Sequence, residues 1–506
     1  MKRILLMKLI YKIEYNSTSF YFKRLIDELI KNSNIDANTK QYFGFILIFI
    51  DDELENIEKF FLNLETNLPY SMFLKKSYLI DEFNEEIKEL EDKNIKENFE
   101  ILTNRKVKDI LENSNFDFLS QIVNLNRSFV VKFQDLELFL PNKNLKENFE
   151  KDNYEIRLLV TNSQILTDLF IIEEPEINLL CSIERPLVKL KLKNIDENIS
   201  NSGYIFTRLV NSSKEVELSK ALKEQNIDYI LYSTKKDELK ACSFENLNLI
   251  ISDDKTLYPK YDYKKDLIFN SSSEYLNSFS NVYNAVLHEH NLLDKTSIGV
   301  YFSLYSKNSF VDIKVLNEEE KRVIYIPDIE SNMNQILEDI SSLDENCKRL
   351  VDNFSKKYPY TKDIKLSNNS GFSTIIEAIA KLLNIESIKD FEELALNSGY
   401  VDALQIDMKL IKIDNKNYLD YRKTIQSIMS YKMADVENET LSFSFYEFLA
   451  EFIIDYLREI ARKTNAKDIV LCGDIFSNRQ VFHKVYKELS KKYNLILPTE
   501  YAMDYI

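Results

Sequence analysis

Apolar and polar residues alternate at the start of the chain, where Leu9, Tyr11, Ile13 and Tyr15 interleave with Lys8, Ile10, Lys12 and Glu14. A period of two marks a strand. The pattern then changes to a helical one over Phe20–Lys31, an apolar run at Phe43–Ile50, a helix at Glu53–Leu64 and a strand at Ser77–Asp81. With a short strand near Gln41, the order is βαββαβ, which predicts a ferredoxin-like domain over residues 1–82. Residues 83–116 are charge-dense with sparse apolar positions, which predicts a helical linker.

Short apolar runs at Phe129–Lys132, Leu158–Thr161, Leu187–Lys191 and Tyr229–Tyr232, with a helical pattern at Val216–Gln225, predict an α/β domain over residues 117–245. The remaining residues, 246–506, open with strands at Leu247–Ser252 and Ile298–Phe302. Helices then dominate. Thr374–Leu383 and Phe443–Ala461 carry apolar residues at helical spacing, and the aromatic residues Phe445, Phe448, Phe452 and Tyr456 read as core.

The last stretch of the chain predicts a βαβ unit: a strand at Ile469–Leu471, a turn at Gly473-Asp474, a helix over Arg479–Lys491 and a strand at Leu495–Leu497. In a parallel sheet, ligands bind beyond the carboxyl ends of the strands, at a glycine that lets backbone N–H groups approach a phosphate. That position is Gly473. We expect two sheet-containing lobes in this half, facing across a cleft lined by Gly473.

Composition narrows the functional classes. A chain of 506 residues with 44% hydrophobic content has enough apolar mass for several domain cores. A net charge of −16 and a pI near 5.0 speak against a nucleic-acid partner, which would meet a basic footprint. No apolar run approaches the ~20 residues of a membrane span, so no membrane association is expected. The four cysteines lie far apart, without a C-x-x-C pair, which speaks against a zinc ribbon and fits a reduced, cytoplasmic setting. Glycine occurs only six times and never in clusters, so this chain is poorly equipped to build a phosphate-cradling loop.

Four stretches, in order, resemble a known family. CGDIFSNR (Cys472–Arg479) resembles the S-G-G-V-F-Q-N-R stretch of HypF-type carbamoyltransferases, which mature [NiFe] hydrogenases. SGFSTIIEAIAKLLNI (Ser370–Ile385), followed by FEELAL (Phe391–Leu396), resembles a helix of the same domain. SIERPLVKLK (Ser182–Lys191) resembles the S-P-E-R-P-I-V-L-L stretch of the family's YrdC-like domain. The ferredoxin-like start stands where that family carries an acylphosphatase-like domain. The resemblance implies a multidomain α/β chain: an acylphosphatase-like domain, a YrdC-like α/β domain, and a C-terminal carbamoyltransferase-like domain of actin-like-ATPase fold.

It also implies sites, and the departures at those sites carry weight. In place of the acylphosphatase phosphate loop stands YNSTSFYF (Tyr15–Phe22), with Ser17 and Ser19 at glycine positions and Tyr21 at the phosphate-gripping arginine. FVVKFQDLEL (Phe129–Leu138) resembles the adenylate loop of the YrdC-like domain and keeps Lys132, but not its glycines. By resemblance, Lys132, Gly473 and Asn478 are nucleotide-binding positions, and His288 and Asp504 are metal ligands. Leu292 stands where the family has its second histidine, and Asp474 replaces the second glycine of the C-terminal loop. We expect Asp474 and Ser477 to serve turn and helix capping.

Two functions follow. One is a non-catalytic assembly factor, a degenerate scaffold whose partner is a hydrogenase subunit or another hydrogenase accessory protein. The other is an active carbamoyltransferase using carbamoyl phosphate and ATP, with a divalent metal, in synthesis of the hydrogenase cyanide ligands. The missing arginine, histidine and glycines favour the first.

Overall fold

The computed structural model describes residues 6–83, 89–92, 100–113, 130–252, 283–498 and Met503, apart from positions 16, 18, 43, 153, 236–239, 245–247, 284–285, 288–289, 305–308, 319, 330, 368–370 and 399–401. The chain divides into two units, Met1–Lys240 with Ile250–Lys260, and Ala241–Leu249 with Tyr261–Ile506.

The first unit opens with β1 (Leu6–Tyr15), α1 (Tyr21–Ser33), β2 (Ala37–Tyr42), β3 (Phe45–Glu53), α2 (Leu54–Asn67) and β4 (Leu74–Ile80). The sheet order is β2-β3-β1-β4, with β1 antiparallel to both β3 and β4. This is the expected ferredoxin-like arrangement. The apolar run read as one strand is the second arm of a hairpin: Gly44, at φ 81°, turns the chain between Tyr42 and Phe45, which face each other in register. Ile13, Tyr15, Phe22, Ile26, Ile46, Ile48, Ile57 and Phe60 fill the core between sheet and helices.

The charged stretch that follows is helical only in part. Residues Asn104–Asn113 form α3, whereas Glu89–Asp92 and Glu100–Thr103 lack regular structure because their polar groups find partners elsewhere. Leu90 N–H donates to the Gln41 carbonyl at 2.9 Å. Arg24 pairs with Asp92 at 2.8 Å. Glu100 accepts from the Ser213 N–H at 2.5 Å, at the start of a later helix.

The second domain of this unit is built on a seven-stranded sheet. Its strands are β5 (Val131–Phe133), β6 (Leu136–Phe139), β7 (Tyr154–Val160), β8 (Phe170–Ile171), β9 (Val188–Leu192), β10 (Tyr204–Leu209) and β11 (Tyr229–Lys235), in the order β5-β6-β11-β7-β10-β9-β8. Only β7 and β10 run parallel among the pairings described. Helix α4 (Ser213–Glu224) starts on Ser212, whose hydroxyl accepts from Glu215 N–H. Buried Arg208 forks onto Glu215 with two contacts of 2.8 Å, and Glu215 also takes the Asn211 N–H at 2.8 Å. The bidentate pair fixes the β10–α4 turn, since planar guanidinium and carboxylate match only in one orientation.

In the second unit one seven-stranded sheet carries the described strands β14 (Ser297–Tyr301), β15 (Phe310–Lys314), β16 (Lys321–Tyr325), β17 (Leu410–Ile413), β18 (Lys416–Leu419), β19 (Asp468–Cys472) and β20 (Asn494–Ile496). Strands β12 (Lys240–Phe244) and β13 (Asn248–Ser252) pair separately. The order β17-β18-β16-β15-β14-β19-β20 differs from the two sheet-bearing lobes expected for this half. Strand β18 joins β16 in parallel at Tyr325↔Tyr418, so the later strands extend the earlier sheet rather than start a second one. Around it lie helices including α5 (Gly371–Leu382), α6 (Asn438–Thr464) and α7 (Arg479–Leu489). The expected βαβ unit is present: β19 and β20 are parallel, in register from Asp468↔Asn494, with α7 between them.

Glycine and asparagine divide the work in this chain. Among the described residues seven asparagines have positive φ, including Asn34 and Asn465 at the ends of α1 and α6. A short side chain that bonds locally tolerates the left-handed region. Other glycines sit where a side chain has no room: a Cβ on Gly299 would lie 2.4 Å from the Tyr283 ring, and one on Gly371 would lie 2.5 Å from the Pro327 carbonyl oxygen. None of the described helices is long and apolar enough to cross a membrane.

Candidate functional site

The loop between β1 and α1 stands where the resemblance places a phosphate cradle, and its polar groups are turned inward. Ser17 and Ser19 are buried, and Ser19 N–H donates to the Ser17 hydroxyl at 3.1 Å. The side-chain amide of fully buried Gln41 donates to the carbonyls of Ser17 and Ser19 at 3.0 and 3.1 Å. Tyr21, at the arginine position, sends its hydroxyl to the carboxylate of Glu184.

Glu184 lies within the SIERP stretch of the second domain, 2% exposed. Its carboxylate also accepts from the Ser71 hydroxyl and from Met72 N–H, the latter at 3.0 Å. The preceding Ile183 enters the core of the first domain, and its N–H donates to the Tyr70 carbonyl at 2.9 Å. Burial pushes the Glu184 carboxyl above its usual range, against the pull of its three donors. The Tyr21 phenol is likewise held well above its ordinary value, by burial first and by the Glu184 charge second. A carboxylate of the chain itself therefore occupies the end of the loop where an anion-gripping arginine is expected.

Lys132 lies on edge strand β5, exposed, opposite Glu137 of β6. The loop that follows it, read by resemblance as adenylate-binding, is a two-residue hairpin turn: Phe133 and Leu136 are in register, with Gln134 at φ 54° between them. A turn this tight has no run of glycine N–H groups to offer a phosphate.

Gly473 and Asn478 are brought together at the carboxyl end of β19. Gly473 has φ 99°, and a Cβ on it would lie 2.1 Å from the Phe302 carbonyl oxygen, so the position demands glycine for reasons internal to the fold. Four of the turn's N–H groups are engaged within the chain. Gly473 N–H donates to Met503 at 2.5 Å, Ile475 N–H to Phe302 at 3.2 Å, Phe476 N–H to Gly473 at 3.1 Å and Asn478 N–H to Ile475 at 3.1 Å. The Asp474 carboxylate is buried in the same turn.

Of the turn and helix capping expected of Asp474 and Ser477, the helix-capping part is corrected, while Ser477 keeps a bond within the turn. Asn478 is the N-cap of α7, its Oδ1 accepting from Val481 N–H at 3.0 Å, while the Ser477 hydroxyl donates to the Asp474 carbonyl at 2.6 Å. The Asn478 Nδ2, also buried, has no hydrogen-bond partner among the described residues. Four engaged N–H groups and the buried Asp474 carboxylate make this turn unfavourable to a nucleotide's phosphates.

His288 and Asp504, the expected metal ligands, lie outside the described residues. The neighbouring His290 is described, with its Nε2 3.0 Å from the Leu497 carbonyl just past β20. Among the described residues no group of three His, Cys, Asp or Glu side chains is placed to hold a metal ion. Sequence reasoning missed Glu184 as a site residue, although its flanks, Ile183 and Pro186-Leu187, are apolar enough to signal burial.

The described sheets and helices form a multidomain α/β chain, and it is similar to several known proteins. Residues 326–504 match the second subdomain of the Kae1-like carbamoyltransferase domain. The crystal structure of full-length HypF in its phosphate- and nucleotide-bound form superposes with a TM-score of 0.57 at 12% identity, covering 99% of this chain and 96% of that one. That of T. kodakarensis HypF gives 0.58 at 10% identity, over 97% and 96%. Protein HydE of Wolinella succinogenes is 23% identical over 365 residues, 67% of this chain. The chain spans 64% of the length of that curated relative. Over 97–99% of its length this chain shares the fold of full-length HypF.

Proposed function

We propose that this chain is a hydrogenase maturation or assembly accessory protein, a HypF-like scaffold that acts through protein partners rather than through carbamoyl transfer. The observation that carries the reading is the filled first-domain loop, where Tyr21 and Glu184 close the end at which a phosphate-gripping arginine is expected. The spent donors of the Gly473 turn and the tight hairpin after Lys132 support it. Its partner is a hydrogenase subunit or another hydrogenase accessory protein.

One observation favours the second reading, an active carbamoyltransferase taking carbamoyl phosphate and ATP: the buried, unpartnered Asn478 Nδ2 beside Gly473, a donor of the kind that awaits a ligand. Calorimetric titration with ATP plus magnesium, zinc or iron, using a HypF as positive control, separates the two. The scaffold reading expects weak binding or none, together with co-purification of a hydrogenase large subunit. Micromolar ATP affinity in the unmodified chain revives the enzyme.

A further inference from the structure

Helix α6 presents two parallel stripes of the same period. Phe448, Phe452 and Tyr456 recur at every fourth position, and so do Glu451, Asp455 and Glu459. On a helix, residues four apart stack on one face, so the aromatic stripe runs beside the acidic one. Together with the extended segment before β17 they line an open cavity of about 380 Å³. Phe452 is buried against Tyr456, ring centroids 4.8 Å apart, and forms the floor, while Phe448 and Tyr456 remain half-buried.

The acidic stripe is a cost to the helix, because like charges four apart repel. Its ends are partly relieved: Lys484 contacts Glu451 at 2.8 Å, and Lys463 pairs with Glu459. Asp455, between them, is exposed and has no hydrogen bond or ion pair among the described residues. Across the cavity Asp407 is matched by Lys409 at 3.1 Å. The cavity therefore combines aromatic side chains with one carboxylate, Asp455, that no cation balances among the described residues. That combination recognises a cationic group carried on an apolar stem, by cation–π attraction to the rings and Coulomb attraction to the rim.

We infer that this cavity docks an arginine- or lysine-bearing segment of a protein partner, with its cationic heads at Asp455 and its stems on Tyr456 and Phe448. The inference names a face for the partner of the scaffold reading and rests on that reading. A short fluorescent peptide of alternating arginine and leucine serves as probe, followed by anisotropy. The peptide binds the wild-type chain and Asp352→Lys alike, the latter reversing an exposed acid on another helix, Glu345–Lys357. It binds about tenfold more weakly to Asp455→Lys and to Tyr456→Ala. Equal affinity for all four proteins would reduce the effect to diffuse attraction by an acidic surface and overturn the proposal, as would no binding to the wild type. The assay contains no hydrogenase subunit, so a failed groove leaves the co-purification test standing.

Discussion

The Tyr21 phenol donates a buried hydrogen bond to the Glu184 carboxylate across 163 positions of sequence, joining the first domain to the second. Removing the acceptor strands three donors at once, those of Tyr21, Ser71 and Met72. Glu184→Ala is therefore expected to cost about 3 kcal/mol of stability. Tyr21→Phe, which removes one donor and leaves the carboxylate two others, costs about 1 kcal/mol. Urea unfolding checks the order; an equal loss in both variants contradicts it.

The same carboxyl makes a prediction about pH. Its folded-state value is raised, so over the window between the ordinary glutamate range and that raised value the folded chain holds a proton that the unfolded chain has released. Stability from this group is therefore greatest below the window and declines as pH rises through it. The difference in unfolding midpoint between wild type and Glu184→Gln, followed upward from mild acid, carries this slope. A difference independent of pH contradicts the linkage.

Restoring the missing arginine does not restore chemistry. In Tyr21→Arg the new guanidinium meets Glu184 already in place and pairs with it, while Gln41 still occupies the loop carbonyls. No acyl-phosphate hydrolysis above background is expected from this variant or from the unmodified chain. Turnover of an acyl phosphate by either protein, followed spectrophotometrically, is the contrary result.

Gly473→Ala tests whether glycine is kept for the fold or for a ligand. The added methyl would overlap the Phe302 backbone, at a φ that disfavours any side chain, for a loss on the order of 3 kcal/mol. The loss is expected without nucleotide present. A fully stable Gly473→Ala chain, judged by thermal unfolding, removes the structural account of this glycine.

The fold was legible where one physical signal dominated. Alternation in β1 and the apolar run of β19 gave strands, and Arg479–Leu489 gave a helix, because each pattern has a single period. Both arms of the Gly44 hairpin were expected, near Gln41 and over Phe43–Ile50, but the turn itself lay inside the apolar run, since a two-residue turn leaves almost no polar signature. The continuity of the second unit's sheet depends on β18 meeting β16, a long-range pairing that local periodicity does not encode. At the candidate site, the substitutions at Ser17, Ser19 and Tyr21 were plain in the sequence. The partner that Tyr21 takes was not, because Glu184 reaches Tyr21 only after both domains fold. Asn478 was read through a resemblance to a nucleotide loop, and its short-range capping bond was passed over in favour of Ser477.

The division between asparagine and glycine bears on how such a chain changes over time. Asparagine can take over a turn, because a turn asks only for an unusual backbone angle. It cannot take over a close approach, because its Cβ remains in the way, as at Gly299, Gly371 and Gly473. In a chain this poor in glycine, the few that remain are therefore the ones a substitution can least replace, and a bare-backbone anion cradle is the feature such a composition is least able to supply.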